Sequence, residues 1–190
     1  TLPDFISDTP VLVAPFGSPV VPESLRRHGP GGKRIRVLFA GSMSQRKGLA
    51  DVFAAMRLLK REDAELVVMG TPSLPMPFYR GEFGRFIHEP GRSHYRVLAL
   101  MGTCDVLVLP SLVEGRAMVQ QEALACGLPI IVTPNAGGAE LVVEGRTGFL
   151  VPVRSPEMIA EKLAWFADRR RALAEMRPEC VEMAARYSWN

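Results

Sequence analysis

Three short stretches of the chain gather side chains able to handle an anionic ligand. The first is Gly41-Ser42-Met43-Ser44-Gln45-Arg46-Lys47-Gly48, where glycines bracket two adjacent cations. Glycine permits a tight backbone turn, and a helix starting there offers unsatisfied N–H groups to an anion. Arg46 and Lys47 add two fixed positive charges, a combination that suits a diphosphate. On local sequence alone they read equally well as solvated loop charges. The segment is neither a Walker loop nor a GxGxxG fingerprint, so it specifies neither of those sites.

The second stretch runs from Glu114 to Glu122. With 14 glutamates in 190 residues, a pair at this spacing arises by chance, so only its context carries weight. Glu114 follows an apolar run that ends at Pro110. Glu122 falls inside a helical pattern between Val119, Ala123 and Leu124, where an inward carboxylate requires a partner. A ribose diol supplies two donors to such an acceptor; a surface glutamate is the plainer alternative. The third stretch, Asn135-Ala136-Gly137-Gly138-Ala139-Glu140, permits close approach of a ligand, or is an ordinary strand-to-helix turn.

The elements that must position these groups alternate. Strand-like apolar runs occur at Val37–Ala40, Leu66–Met69, Val106–Leu109, Ile130–Val132 and Phe149–Val151, with a weaker candidate at Phe86-Ile87. Leu49, Val52, Phe53 and Met56 recur at helical spacing, giving a helix that ends near Lys60. Further helices are expected over Tyr95–Met101, over Met118–Cys126 with Gly127 as its stop, and from Ala139 to Glu144. Another begins at Pro156 after Ser155 as N-cap, followed by a last one interrupted at Pro178. The Pro72–Pro77 segment reads as loop. Continuous apolar strands alternating with helices indicate a parallel sheet covered on both faces, a Rossmann-like α/β/α domain. In such a sheet ligands bind beyond the carboxyl ends of the strands, where all three stretches fall.

Composition narrows the field. The chain is 47% hydrophobic and 23% charged, with a net charge of +3. That is the profile of a globular domain, and the charge is too slight to imply nucleic-acid or membrane binding. Cys104, Cys126 and Cys180 contain no CxxC pair, so neither a metal site nor a disulfide framework is expected, and they read as buried thiols. His88 and His94 read as ordinary surface or loop histidines, since neither has a metal partner at useful spacing. The apolar stretch from Val97 to Val113 is broken by Asp105, Gly102 and Pro110, so it does not span a bilayer. The expected location is cytoplasmic. Residues 1–33 read as a connector holding one strand, Val11–Ala14, with a flexible stop at Gly29–Gly32; residues 34–190 form the main domain.

Taken in order, the stretches resemble the C-terminal domain of family 4 (group 1) retaining glycosyltransferases of GT-B fold. The resemblance rests on the Lys47-Gly48 ending, on Pro110-Ser111 before Glu114-Gly115, and on Glu122-Ala123-Leu124-Ala125-Cys126-Gly127-Leu128-Pro129. Gly137-Gly138 with Glu140, and Gly145-Arg146-Thr147-Gly148-Phe149-Leu150-Val151, complete it. It implies that Arg46 and Lys47 hold the donor's pyrophosphate, and that Glu122 accepts from the ribose. Glu114 would face the transferred sugar. Gly41, Ser42 and the backbone N–H groups of Ala117, Met118 and Val119 would complete a phosphate cradle. No metal and no cofactor beyond the nucleotide-sugar substrate are implied. The resemblance further implies an N-terminal acceptor domain not included in these 190 residues. The acceptor and any peripheral membrane association would belong to that half, and the isolated domain would be inactive. Val11–Gly17 resembles the crossing strand, and Tyr187–Asn190 the return of the last helix.

The chain departs from the family pattern in three places. Ser42 stands where Arg is common, Arg116-Ala117 replaces an aromatic-glycine pair, and the Pro72–Pro77 segment replaces a glycine-rich turn. A sugar-nucleotide epimerase or phosphorylase of related architecture, or a non-catalytic nucleotide-binding module, are the alternative readings.

Overall fold

A computed structural model describes residues 16–26 and 33–188. The strand expected at Val11–Ala14, the stop at Gly29–Gly32 and the Trp189-Asn190 end lie outside the described residues. The strands are β1 (Ile35–Ala40), β2 (Ala64–Met69), β3 (Phe86–Glu89), β4 (Val106–Leu109), β5 (Ile130–Val132) and β6 (Gly148–Leu150). They form one all-parallel sheet in the order β3-β2-β1-β4-β5-β6. All four residues of β4 are buried, which is why this strand reads as an unbroken apolar run rather than an alternating one.

Helices α1 (Leu49–Leu59), α2 (Met76–Glu82), α3 (His94–Met101), α4 (Val119–Ala125), α5 (Pro156–Asp168) and α6 (Arg170–Ala185) connect and cover the strands. Helix α1 packs on α5, while α4 packs on both α3 and α6. Leu49, Val52, Phe53, Ala55 and Met56 form the buried face of α1, following the spacing that predicted the helix. Phe53 also stacks on Phe83 and Phe86, with centroids 5.7 and 5.4 Å away, fastening α1 to the β3 edge. Each such aromatic pair adds about 1 kcal/mol beyond its area burial. Trp165 packs edge-on against Phe149 and Phe166, as a helix-face residue should.

The amino-terminal rim of the sheet is tied by a buried ion network. Asp105, fully buried before β4, accepts from Arg36 N at 2.8 Å and Arg177 Nη2 at 3.1 Å. Arg170 Nη2 lies 3.3 Å from the same carboxylate, so α6 is anchored to the two central strands by charge. A buried carboxylate is tolerable only with partners of this kind.

Four local expectations change. The Pro72–Pro77 loop is shorter than expected, because Met76 and Pro77 open α2. Proline fits a first helical turn, where its absent N–H would have had no partner. The helix expected over Ala139–Glu144 is only a 3-10 turn at Ala139–Leu141. Pro178 does not interrupt α6, which continues through it. Leu173, Met176, Arg177, Cys180, Met183 and Ala184 are buried along that helix, and this packing outweighs one lost backbone bond. Ser155 precedes α5 as expected, but its hydroxyl donates to Val153 O at 3.5 Å instead of capping the helix.

Cys104, Cys126 and Cys180 are buried thiols. Among the described residues, no helix is long and apolar enough to cross a membrane, and no cluster of three or more His, Cys, Asp or Glu could hold a metal ion.

Candidate functional site

The strand order places β1 beside β4, and from this pair the chain winds outward in both directions. Loops leaving the carboxyl ends of two such strands diverge, opening a crevice at the switch point. Two of the stretches singled out, Gly41–Gly48 and the start of Glu114–Glu122, lie in those two loops.

The turn after β1 holds a 3-10 segment, Gln45–Lys47, between β1 and α1. Gly48 makes this possible. Its φ is +76°, and a Cβ there would stand 2.2 Å from Pro110 O, so only glycine allows the first turn to touch the second loop. Leu112 N donates to Arg46 O at 2.8 Å, joining the loops by backbone as well. From α2, Tyr79 secures the other side. Its hydroxyl accepts from Ser73 N and Leu74 N at 3.1 Å and donates to Met43 O at 2.6 Å.

The loop after β4 is fixed in turn to the loop after β5. Glu114 N donates to Asn135 O, and Asn135 Nδ2 to Leu112 O, both at 2.9 Å. Gly137, at φ +71°, packs so closely on Gly115 that a Cβ would stand 2.1 Å from its carbonyl oxygen. The three stretches singled out in the sequence therefore lie side by side at one rim of the sheet.

Charge gathers where the first two meet. Glu114 is ion-paired to both Arg46 and Lys47, with Lys47 Nζ 2.9 Å from its carboxylate. The Glu114 side chain is only 10% exposed, against 52% for Arg46, so the arginine is the member most open to a ligand. Around this cluster, Ser42 Oγ lies 3.2 Å from Ser44 Oγ, and Gly41 N donates to Met69 O at 2.9 Å.

At the start of α4 the expected cradle narrows. Ala117 N donates to Ala136 O at 3.2 Å and is therefore committed to the neighbouring loop. No such bond occupies the N–H groups of Met118 and Val119 among the described residues. Arg116 pairs with Glu140, donates through Nε to Gln121 Oε1 at 3.4 Å and lies over the Tyr187 ring at 5.4 Å. Gln121 Nε2 donates to Phe16 O at 2.7 Å, so Arg116 belongs to a chain of contacts running from the site loop to the segment before β1.

Glu122 lies one turn into α4 and has an unforeseen partner. His94 Nε2, at the start of α3, is 3.2 Å from Glu122 Oε1. No spacing rule connects residues 28 positions apart on different helices, so the sequence held no signal for this pair. His88 also differs from a plain loop residue, with Nε2 3.0 Å from Gly70 O. Burial, then the Glu122 charge, push the Cys126 thiol up to about 12.

The geometry defines a Rossmann-like domain with a cation-and-carboxylate cluster at its switch point. The chain belongs to the group 1 glycosyl transferases, whose family model matches residues 20–186. It is 30% identical over 168 residues to a D-inositol 3-phosphate glycosyltransferase of Corynebacterium efficiens, covering 80% of this chain and 39% of that one. A Paenarthrobacter aurescens protein of the same name is 27% identical over 166 residues, covering 82% and 41%. The chain thus spans about two-fifths of the length of these relatives. Among solved structures, sucrose-phosphate synthase from Thermosynechococcus elongatus superposes with a TM-score of 0.78 at 20% identity, covering 93% of this chain and 48% of that one. The C-terminal domain of the group 1 glycosyl transferase LpcC from Francisella tularensis gives 0.72 at 21%, covering 85% and 89%. Anabaena HepE, solved with UDP and glucose, also gives 0.72, at 20% identity and coverage of 82% and 45%.

Proposed function

We propose that this chain is the donor-binding domain of a retaining glycosyltransferase that uses a nucleoside-diphosphate sugar. The observation that carries the reading is the pairing of Glu114 with both Arg46 and Lys47 at the switch-point crevice. Two cations converging on one largely enclosed anion mark a place suited to a diphosphate. The HepE complex supports the ligand class, since a protein of this fold was solved with UDP and glucose.

In this reading Arg46 and Lys47 bind the donor's diphosphate, with Gly41 and Ser42 at the mouth of the turn. The N–H groups of Met118 and Val119 add donors at the start of α4, beside Ala117. Glu122 accepts from the ribose hydroxyls. As the bond between the anomeric carbon and the diphosphate oxygen breaks, its electron pair moves to the leaving oxygen. Positioned cations stabilise that charge, and losing one such preorganised donor costs about 3 kcal/mol, or a hundredfold in rate. Glu114, released from the cations as phosphate replaces it, faces the sugar. The acceptor hydroxyl attacks the anomeric carbon on the face the diphosphate leaves and passes its proton to the departing phosphate oxygen, so the anomeric configuration is retained. The acceptor-binding half lies outside this chain, which alone binds donor without transferring sugar.

Calorimetric titration with UDP-, GDP- and ADP-glucose tests the reading. One nucleotide should bind selectively and saturably, and Lys47→Ala should weaken it by roughly tenfold or more, as expected for a lost charge-assisted contact. Equal binding by both forms removes Lys47 from the site.

A further inference from the structure

We infer that His94 is a positioning residue for the nucleoside end of the site, holding the Glu122 carboxylate in place to receive the ribose. This rests on the donor-binding reading above and extends it to a residue outside the three site loops.

The pairing is built by helix packing. His94 and Glu122 face each other at 3.2 Å, and one turn further along both helices Cys126 Sγ lies 3.7 Å from Leu98 O. Both members of the second contact are buried, with Leu98 at 4% exposure and Cys126 at 0%. Residues four apart share a helix face, so the inner contact fixes the register that brings the outer pair together. Helix α3 begins just beyond the carboxyl end of β3, and α4 follows the loop leaving β4, so the pair sits at the same rim as the switch-point loops.

The chemistry of the contact is one-directional. An ionised carboxylate only accepts, so the imidazole nitrogen facing it must carry the proton. That N–H occupies one site on Oε1. Among the described residues no other side chain engages the Glu122 carboxylate, so Oε2 remains available to hydroxyl donors. The Glu122 side chain is 19% exposed and the His94 ring 58%, so the ring braces a largely enclosed acceptor from the open side. A glutamate without this brace would spread over several rotamers and lose part of its readiness for two hydroxyls.

The test compares nucleoside diphosphate binding, using the nucleotide the wild-type domain prefers, with binding of inorganic pyrophosphate. His94→Ala should weaken the nucleotide about threefold to tenfold, the loss expected for one hydrogen-bonded positioning contact. Pyrophosphate affinity should stay within roughly twofold, since His94 does not touch the diphosphate cations. His94→Gln, which restores an N–H at similar reach, should recover most of the loss. In a Glu122→Ala background, His94→Ala should have no further effect, and the 2′,3′-dideoxy nucleotide should bind wild type and His94→Ala alike. Thermal melts confirm folding of each variant. Parallel losses for nucleotide and pyrophosphate, an unchanged nucleotide affinity, or additive effects of the two substitutions would overturn the assignment while leaving the donor site intact. If wild type binds no nucleoside diphosphate at all, both this inference and the reading beneath it fall.

Discussion

Lys47 Nζ stands 2.9 Å from Glu114 Oε1, joining the turn after β1 to the loop after β4 across the switch point. In the free domain the carboxylate therefore occupies the cations proposed above to bind the diphosphate. Replacing Glu114 with Gln should tighten binding of inorganic pyrophosphate about fivefold, the effect of removing a partly screened competitor worth about 1 kcal/mol. The gain should shrink as ionic strength rises. Titrations at low and high salt check this, and weaker binding by the variant would count against competition between carboxylate and phosphate.

Gly48 provides the steric counterpart to that charge. Gly48→Ala combines a positive φ of +76° with a Cβ only 2.2 Å from Pro110 O, so the two loops must separate. A loss of about 2–4 kcal/mol is expected from strain of this kind, read as a lowered denaturant midpoint. Nucleotide affinity should fall too, because the contact joins both site loops.

At the opposite rim, Asp105→Ala leaves buried Arg177 facing an emptied position. Breaking a buried pair by removing one partner costs about 3–5 kcal/mol, so the variant should unfold at much lower denaturant. Its folded fraction should bind nucleotide with near-normal affinity, since Asp105 lies at the rim opposite the proposed site loops. Equilibrium unfolding followed by titration separates the two effects.

Pro178→Ala acts in the other direction. The proline is exposed in the middle of α6 and leaves one carbonyl of the preceding turn without its helical partner. Restoring the N–H should raise stability by about 1–3 kcal/mol, measurable as a higher Tm. An unchanged Tm would show that the helix is already adapted to the gap.

Thiol chemistry gives a pH-linked prediction. Cys126, with its thiol pushed up to about 12, remains protonated in the folded chain at pH 9, where an exposed thiol is substantially ionised. The raised pKa favours the folded state below the unfolded thiol's pKa. That contribution is lost as pH rises from the unfolded value through the folded one. Iodoacetamide at pH 8–9 should therefore leave Cys126 unlabelled in the native chain and label it on denaturation, as peptide mass spectrometry would reveal.

Much of the architecture was legible because the inner strands are buried on both faces and so appear as short apolar runs. Val106–Leu109 is the clearest case. The same logic placed Arg46, Lys47 and Glu114 together at one rim, since a parallel sheet gathers there the loops that leave its carboxyl ends. Local propensity misled where tertiary packing prevailed. Pro178 breaks a helix in isolation, but buried neighbours such as Met176 and Cys180 keep α6 intact. Contacts between distant segments left no trace at all. The hydroxyl of Tyr79 shapes a turn 36 residues earlier in the chain, and His94 meets Glu122 only because α3 and α4 pack together. The commitment of Ala117 N to Ala136 O likewise depends on how two loops settle against each other.

The anchoring of Asp105 at the amino-terminal rim has a consequence for how this scaffold can diversify. The ionic anchor and the loops proposed to meet the ligand occupy opposite poles of the sheet. Replacements such as Ser42, Arg116 or Ala117 can therefore accumulate around the crevice without loosening the ionic knot beneath it. A lineage can retune what it binds while inheriting its foundation unaltered.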